Sequence, residues 1–159
     1  LSDTLNRLIS IGKVYESLHQ SGGSEQVSLQ EIMAHQITLH GARSGYDDAE
    51  VTSDVQPIVV PPRLAVSAGI IVNELITNSV SHGFAAGRAP RLSIMARRED
   101  GAIRLEVRDS GRGFPEAVLR GSEYGFGLTV IDALARQHEG TLSLTNYGGA
   151  VCEVTLRER

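Results

Sequence analysis

At 159 residues with 41% hydrophobic content, the chain is long enough to bury one core and too short for two ordinary domains. A formal net charge of -4 and a pI near 5.7 provide no broad cationic surface, which argues against a nucleic-acid partner. The single cysteine, Cys152, rules out an intramolecular disulfide, reads as a small core residue and fits a reducing, cytoplasmic setting.

No window approaches the roughly 20 apolar residues of a membrane span, and no charged-then-apolar leader opens the chain. A first residue Leu1 in place of Met leads us to expect a piece of a longer protein, whose other regions leave room for a membrane anchor.

In chain order, Leu5, Leu8, Ile9, Ile11, Tyr15 and Leu18 recur near helical spacing until Ser21-Gly22-Gly23-Ser24 breaks the pattern, predicting a helix over residues 2–20. Ser28 followed by Glu31 is a capping box, which starts a second helix ending near His40, before Gly41. Residues 42–56 are polar and loop-like, with room for one short strand. Ile58-Val59-Val60 reads as a strand, and Pro61-Pro62 suits the first turn of a long helix reaching His82.

Arg91–Arg98 and Ile103–Arg108 read as strands joined by a Glu99-Asp100-Gly101 hairpin turn. A glycine-rich loop then leads to a helix over residues 127–138. Thr141–Thr145 and Val151–Leu156 flank Asn146-Tyr147-Gly148-Gly149 as a closing hairpin. Hairpins mixed with helices, without strict βαβ alternation, predict an α+β fold. It is a two-layer α/β sandwich with a mixed or mostly antiparallel sheet and helices on one face.

Three places carry chemistry. On the long helix, Ala65, Val72, Ile76 and Val80 share a core face, while Glu74, Asn78 and His82, spaced by four, form a polar stripe. A solvated face would carry long Lys, Arg and Glu side chains; the short polar groups here suit an oxygen-rich ligand and a hard cation such as Mg²⁺. Next, Asp109-Ser110-Gly111-Arg112-Gly113 places a carboxylate at a strand end in a turn with two glycines. Such a carboxylate can accept from an exocyclic amine while glycine lets the backbone approach a flat base, although turns after strands often look alike. Third, glycines at 121, 125 and 127 precede a helix, whose free N–H groups favour anions.

Several nucleotide and hydrolase classes are excluded. The one lysine, Lys13, lies far from any glycine-rich loop, whereas P-loop NTPases and eukaryotic-type protein kinases place a lysine on the phosphates. The glycine loop does not follow a strand directly, against a Rossmann unit. His19, His35, His40, His82 and His138 form no metal-binding pair on one helix face, and no Gly-x-Ser-x-Gly elbow occurs.

Taken together, Asn73 to Phe84 resembles the N box of the histidine-kinase ATPase superfamily shared with Hsp90, gyrase and MutL, Asp109 to Gly113 its G1 box, and Gly125-Phe126-Gly127-Leu128 its G2 box. Order and spacing agree over residues 60–156. The Asn-Glu-Leu form of the N box and the run from Leu8 to Ser21 are similar to the HisKA_2 subgroup, and the absence of tryptophan sets the chain apart from its sister subgroup.

The resemblance implies the ATP-binding module of a bacterial-type sensor histidine kinase using ATP and Mg²⁺. In it Asn78 would ligate the metal and Glu74 would assist the metal or activate the attacking group. His82 would lie near the phosphates, Asp109 would bind the adenine amine, Gly111 and Gly113 would shape the pocket, and Gly125, Gly127 and Leu128 would close on the phosphates. Arg112 and Arg120 are phosphate candidates in a short lid, Pro115 to Tyr124, that lacks a phenylalanine box. Implied partners are a response-regulator receiver domain, an acceptor-histidine helix and, through the amino-terminal helix, a second copy.

Residues 1–24 resemble the second arm of a dimerising, phosphotransfer hairpin, leaving residues 25–159 as the catalytic domain. No histidine stands before an Arg-x-x-Asn-Asn stretch, the family's acceptor context, so the acceptor is expected elsewhere. An anti-sigma-type serine kinase and a phosphotransfer adaptor that binds nucleotide poorly are the alternatives.

Overall fold

The structure is a computed structural model that describes residues 26–41, 49–83 and 89–158. The expected helix over residues 2–20 and the division at residue 24 lie outside the described residues.

Strand β1 (Val27–Ser28) pairs antiparallel with β3 (Val59–Val60) and leads into helix α1 (Leu29–Gly41). The expected cap is present: the Glu31 N–H donates to Ser28 Oγ at 3.4 Å. Helix α2 (Pro62–Asn78) opens with Pro61 at the N-cap and Pro62 in its first turn, where a missing N–H costs nothing, and passes into a π-helical turn, Ser79–Gly83.

The principal sheet contains β2 (Glu50–Val55), β4 (Arg91–Glu99), β5 (Ala102–Asp109), β6 (Leu142–Asn146) and β7 (Ala150–Arg157) in the order β2-β4-β5-β7-β6. β2 runs parallel to β4, and every other pairing in that sheet is antiparallel. Asp100 and Gly101 both take positive φ, the requirement of the tight β4–β5 turn. A short helix α3 (Glu116–Leu119) and the longer α4 (Phe126–Gln137) connect β5 to β6.

Register explains the two layers. Ile94 of β4 lies opposite Val107 of β5, itself opposite Cys152 of β7; Ala96, Leu105 and Val154 form the next row. All six are buried in one core with Ala65, Ile71, Val72 and Ile76 of α2. Helices α1 and α4 pack on α2, which lies on the sheet, so the helices share one face. The other face is covered by its own charges: Arg104 bonds Glu153 at 2.5 Å, Arg108 bonds Glu106 at 2.5 Å, and Arg97 pairs with Asp54.

One expectation is met and one needs correction. Residues 50–55 form an edge strand, the short strand for which the polar segment 42–56 left room. Of its side chains only Val51 and Val55 pack on the core, while Asp54 pairs with Arg97 outside it, so the sequence Glu-Val-Thr-Ser-Asp-Val shows little apolar alternation. Residues 62–82 do contain a stretch long and apolar enough to cross a membrane, with 67% of it buried inside the protein. The apolarity serves the core, because α2 is covered on nearly every side.

After α4 the chain turns against β7 so closely that a Cβ on Gly140 would lie 1.7 Å from the Thr155 carbonyl oxygen. Backbone cannot yield as a side chain does. Gly140→Ala is expected to lower stability by about 1–3 kcal/mol, and thermal unfolding followed by circular dichroism should show a melting point several degrees lower. An unchanged melting temperature would show that this turn gives way freely.

Candidate functional site

The polar stripe of α2 runs from the interior to the surface: Glu74 is 2% exposed, Asn78 half-buried and His82 exposed. Its inner end meets the start of α4. A Cβ on Gly127 would stand 2.9 Å from Glu74 Oε2 and 3.4 Å from Asn78 Oδ1, so only glycine leaves these side chains where they are. Gly125 is the N-cap of α4 and no side chain caps the helix, which leaves its N-terminal dipole turned toward the stripe.

Asp109 ends β5, buried, and its two oxygens do different work. Oδ1 accepts from the Gly111 N–H at 2.9 Å and from the Ala150 N–H at 3.1 Å. Oδ2 accepts from none of the described residues. The carboxylate is thus oriented by backbone on both sides, with one oxygen left for a ligand donor. Gly149 makes this possible, since a Cβ there would lie 1.9 Å from the Asp109 carbonyl oxygen.

The loop after Asp109 is fastened at further points. Ser110 exchanges hydrogen bonds with Arg91, its N–H donating to the carbonyl at 3.1 Å and its Oγ accepting from the N–H at 2.9 Å. Arg112 Nε donates to the His82 carbonyl at 2.9 Å, tying the loop to the end of α2. Gly113 takes φ +78°, and Phe114 is held by the Asn146 side chain through both of its backbone groups.

These pieces enclose a cavity of about 430 Å³. Val107, Ala150 and Cys152 give it a sheet floor and Leu75 and Leu128 apolar sides, while Phe114, Pro115 and Val118 form a wall. Asn78, His82, Asp109 and Arg112 supply its polar groups, and Gly113, Gly125 and Gly127 its close backbone approaches. Burial pushes the Cys152 thiol far above its usual range, so it remains a neutral, small floor residue.

Nearly all the expected residues therefore meet in one place. Glu74 does not line the cavity but lies against Gly127, and Gly111 acts through its N–H on Asp109. Arg120 does not join them: it pairs with Glu116 at 3.1 Å on α3, both exposed, because an i,i+4 partner lies nearer than the cavity. Sequence reasoning missed Ser79, Asn146, Gly149 and Ala150. Of these only Gly149 gave a signal, and the two adjacent glycines were read as a hairpin turn.

An apolar slot with a carboxylate on its floor fits a flat base with an exocyclic amine. A glycine-lined helix start beside an asparagine fits phosphates with a hard cation.

The sequence model of the family described as histidine kinase-, DNA gyrase B-, and HSP90-like ATPase matches residues 65–159. The chain is 28% identical to a sensor histidine kinase component HK1 of Mycobacterium tuberculosis, the match covering 72% of this chain and 75% of that protein. In structure it resembles the histidine kinase domain of a blue-light activated histidine kinase from Erythrobacter litoralis, with a TM-score of 0.78 at 20% identity over 96% of this chain and 73% of that one. It also resembles the ATP binding domain of PrrB from Mycobacterium tuberculosis, with a TM-score of 0.67 at 23% identity over 84% of this chain and 96% of that one.

Gly127→Ala tests the contact between α4 and the stripe. The added methyl displaces the Glu74 carboxylate and crowds Asn78, and a misplacement of this size is expected to weaken Mg²⁺-ATP binding or turnover by roughly 10- to 100-fold. The fold survives, since the atoms that must move are side-chain ends. Calorimetric titration of the folded variant at wild-type affinity, with wild-type turnover, would contradict this role for Gly127.

Proposed function

The chain belongs to the histidine kinase-, DNA gyrase B-, and HSP90-like ATPase family, and from that starting point we propose that it is the ATP-binding catalytic domain of a two-component sensor histidine kinase. In this reading it passes the terminal phosphate of ATP to a histidine on a separate helix, in the cytoplasm, for onward transfer to a response-regulator receiver domain. A single observation carries the nucleotide assignment. Residues from three separate sequence motifs line one cavity whose floor carries a carboxylate oriented by backbone alone.

The kinase assignment is supported by the relatives, whose names are those of sensor histidine kinases. The HisKA_2 subgroup is part of the proposal, with residues 1–24 as the second arm of the dimerising hairpin. Neither a serine kinase nor a degenerate adaptor is favoured by any feature of the site, which retains Asn78, Asp109 and every expected glycine.

The residues present fit ATP and Mg²⁺. Asp109 Oδ2 would accept from the adenine amine, with Val107, Ala150 and Cys152 available to pack on the base. The Asn78 side-chain oxygen would hold the metal, and the Glu74 carboxylate, packed against Gly127, would assist it or draw a proton from the attacking group. Arg112 and His82 would meet the phosphates, and the backbone of Gly125, Gly127 and Leu128 would close on them. Mg²⁺, when bound, neutralises charge on the phosphates during transfer.

Two of the four described histidines are committed to buried partners. His40 bonds Asn73 at 3.0 Å and His138 bonds Ser67 at 2.9 Å, both buried, while His35 is exposed on α1 and His82 stands at the cavity. His19 lies outside the described residues.

Two substitutions test the assignment. Asp109→Asn is isosteric and retains an oxygen for the Gly111 and Ala150 N–H groups, but it presents an NH₂ to the adenine amine. ATP affinity is expected to fall about 10- to 100-fold in a folded protein; calorimetry giving the wild-type affinity would defeat the adenine role. Asn78→Ala should remove the Mg²⁺-dependent part of ATP affinity and leave metal-free ADP binding little changed. A mutant whose titrations with and without Mg²⁺ differ as much as the wild type's would remove Asn78 as the ligand.

A further inference from the structure

Asn146 ends β6, opposite Ala150 of β7. Its amide bonds both backbone groups of Phe114: Oδ1 accepts from the N–H at 2.8 Å and Nδ2 donates to the carbonyl at 2.9 Å. One side chain thereby takes the place of a neighbouring strand. The fit leaves no slack, because a Cβ on Gly113 would lie 2.6 Å from Asn146 Oδ1.

Phe114 and Pro115 line the cavity, and Pro115 is the N-cap of α3. The point at which the lid leaves the sheet is therefore set by this amide. The same hairpin end supplies the Ala150 N–H that orients Asp109. Floor carboxylate and lid stem are thus referenced to one cross-strand pair.

Asn146 is exposed and does not line the cavity, so it has no direct contact to offer a ligand there. We propose that Asn146 is a positioning residue for the nucleotide: it pins the stem of the lid at Phe114 and so governs how fast bound nucleotide escapes. This rests on the nucleotide-binding reading above. At an exposed position, water can replace the lost partners of Phe114, so removing the amide loosens the lid more than it destabilises the fold.

The test uses the full chain, a fluorescent ATP analogue with Mg²⁺, and stopped-flow mixing. Asn146→Ala is expected to raise the dissociation rate roughly tenfold and to leave the association rate within about twofold. Thr145→Ala, on the preceding residue of β6, leaves both unchanged. Amide exchange supplies a second readout: the Phe114 N–H loses protection in Asn146→Ala, while the Gly111 and Ala150 N–H groups, held by Asp109, keep theirs.

Asn146→Asp retains an acceptor for the Phe114 N–H and loses the donor to its carbonyl. It is expected to release nucleotide at an intermediate rate, and decides the matter should the alanine variant not fold. A wild-type chain that binds no analogue overturns this proposal together with the functional reading. Wild-type binding with unchanged release from the variants, or loss of protection at Gly111 and Ala150 along with Phe114, overturns the positioning role alone.

Discussion

Everything at the site depends on α2 being buried on nearly all sides while carrying polar groups inward. Apolar packing by Ala65, Ile71, Val72 and Ile76 holds the helix against the sheet but is tolerant of small rotations. Hydrogen bonds are not. Ser67 shares one with His138 beyond the end of α4, and Asn73 Oδ1 accepts from His40 Nε2 on α1. Because an amide oxygen only accepts, that histidine nitrogen carries the proton. Two buried bonds to two different neighbours fix the rotation of α2 about its axis, and the contact of Glu74 with Gly127 fixes it a third time. With the rotation settled, Asn78 and His82 have one direction to face, into the cavity.

A second constraint acts at the opposite wall, where an irregular loop must be as well placed as a helix. The segment after Asp109 lacks repeating backbone bonds of its own, so each of its turns borrows partners from regular structure. Gly111 is held by Asp109, which engages β7 through Ala150, Ser110 engages β4 through Arg91, and Arg112 engages the end of α2 through His82. The two glycines that permit closest approach, Gly113 and Gly149, sit where a Cβ would strike Asn146 or Asp109. Irregular backbone held this way presents a flat wall without needing a strand.

The parts readable from sequence are those whose physics is local. The capping Ser28, the Asp100-Gly101 turn and the spacing of Glu74 and Asn78 on one helix depend on neighbours in the chain and occur as expected, while His82, expected on the same α-helix, lies in the π-helical turn that follows it. The unreadable parts depend on distant segments. β2 is a strand because β4 offers it an edge, and its own Glu-Val-Thr-Ser-Asp-Val pattern is hardly apolar. Asn146 looks like an ordinary turn residue until Phe114, 32 positions earlier, comes to lie beside it. Arg120 had the right charge in the lid, and its fate was decided by Glu116 one helical turn away.

The choice of cation follows the same logic. All but one of the 15 Lys and Arg residues are arginine, the exception being Lys13. A lysine concentrates its charge and donors on one nitrogen, so a lysine tied to the protein has little left for a ligand. An arginine divides the work among three nitrogens in a rigid plane. Arg108 shows the principle away from the site, donating to Glu106 from Nε at 2.5 Å and from Nη2 at 3.1 Å. Arg112 applies it at the cavity: Nε is committed to the His82 carbonyl, which fixes the plane of the guanidinium, and neither terminal nitrogen bonds any of the described residues. A cation anchored by its own neck keeps its place before any anion arrives, so little ordering cost remains to be met on binding. Without a lysine in any glycine-rich loop, this anchored guanidinium and the dipole of α4 are positive elements that the described residues turn toward the cavity.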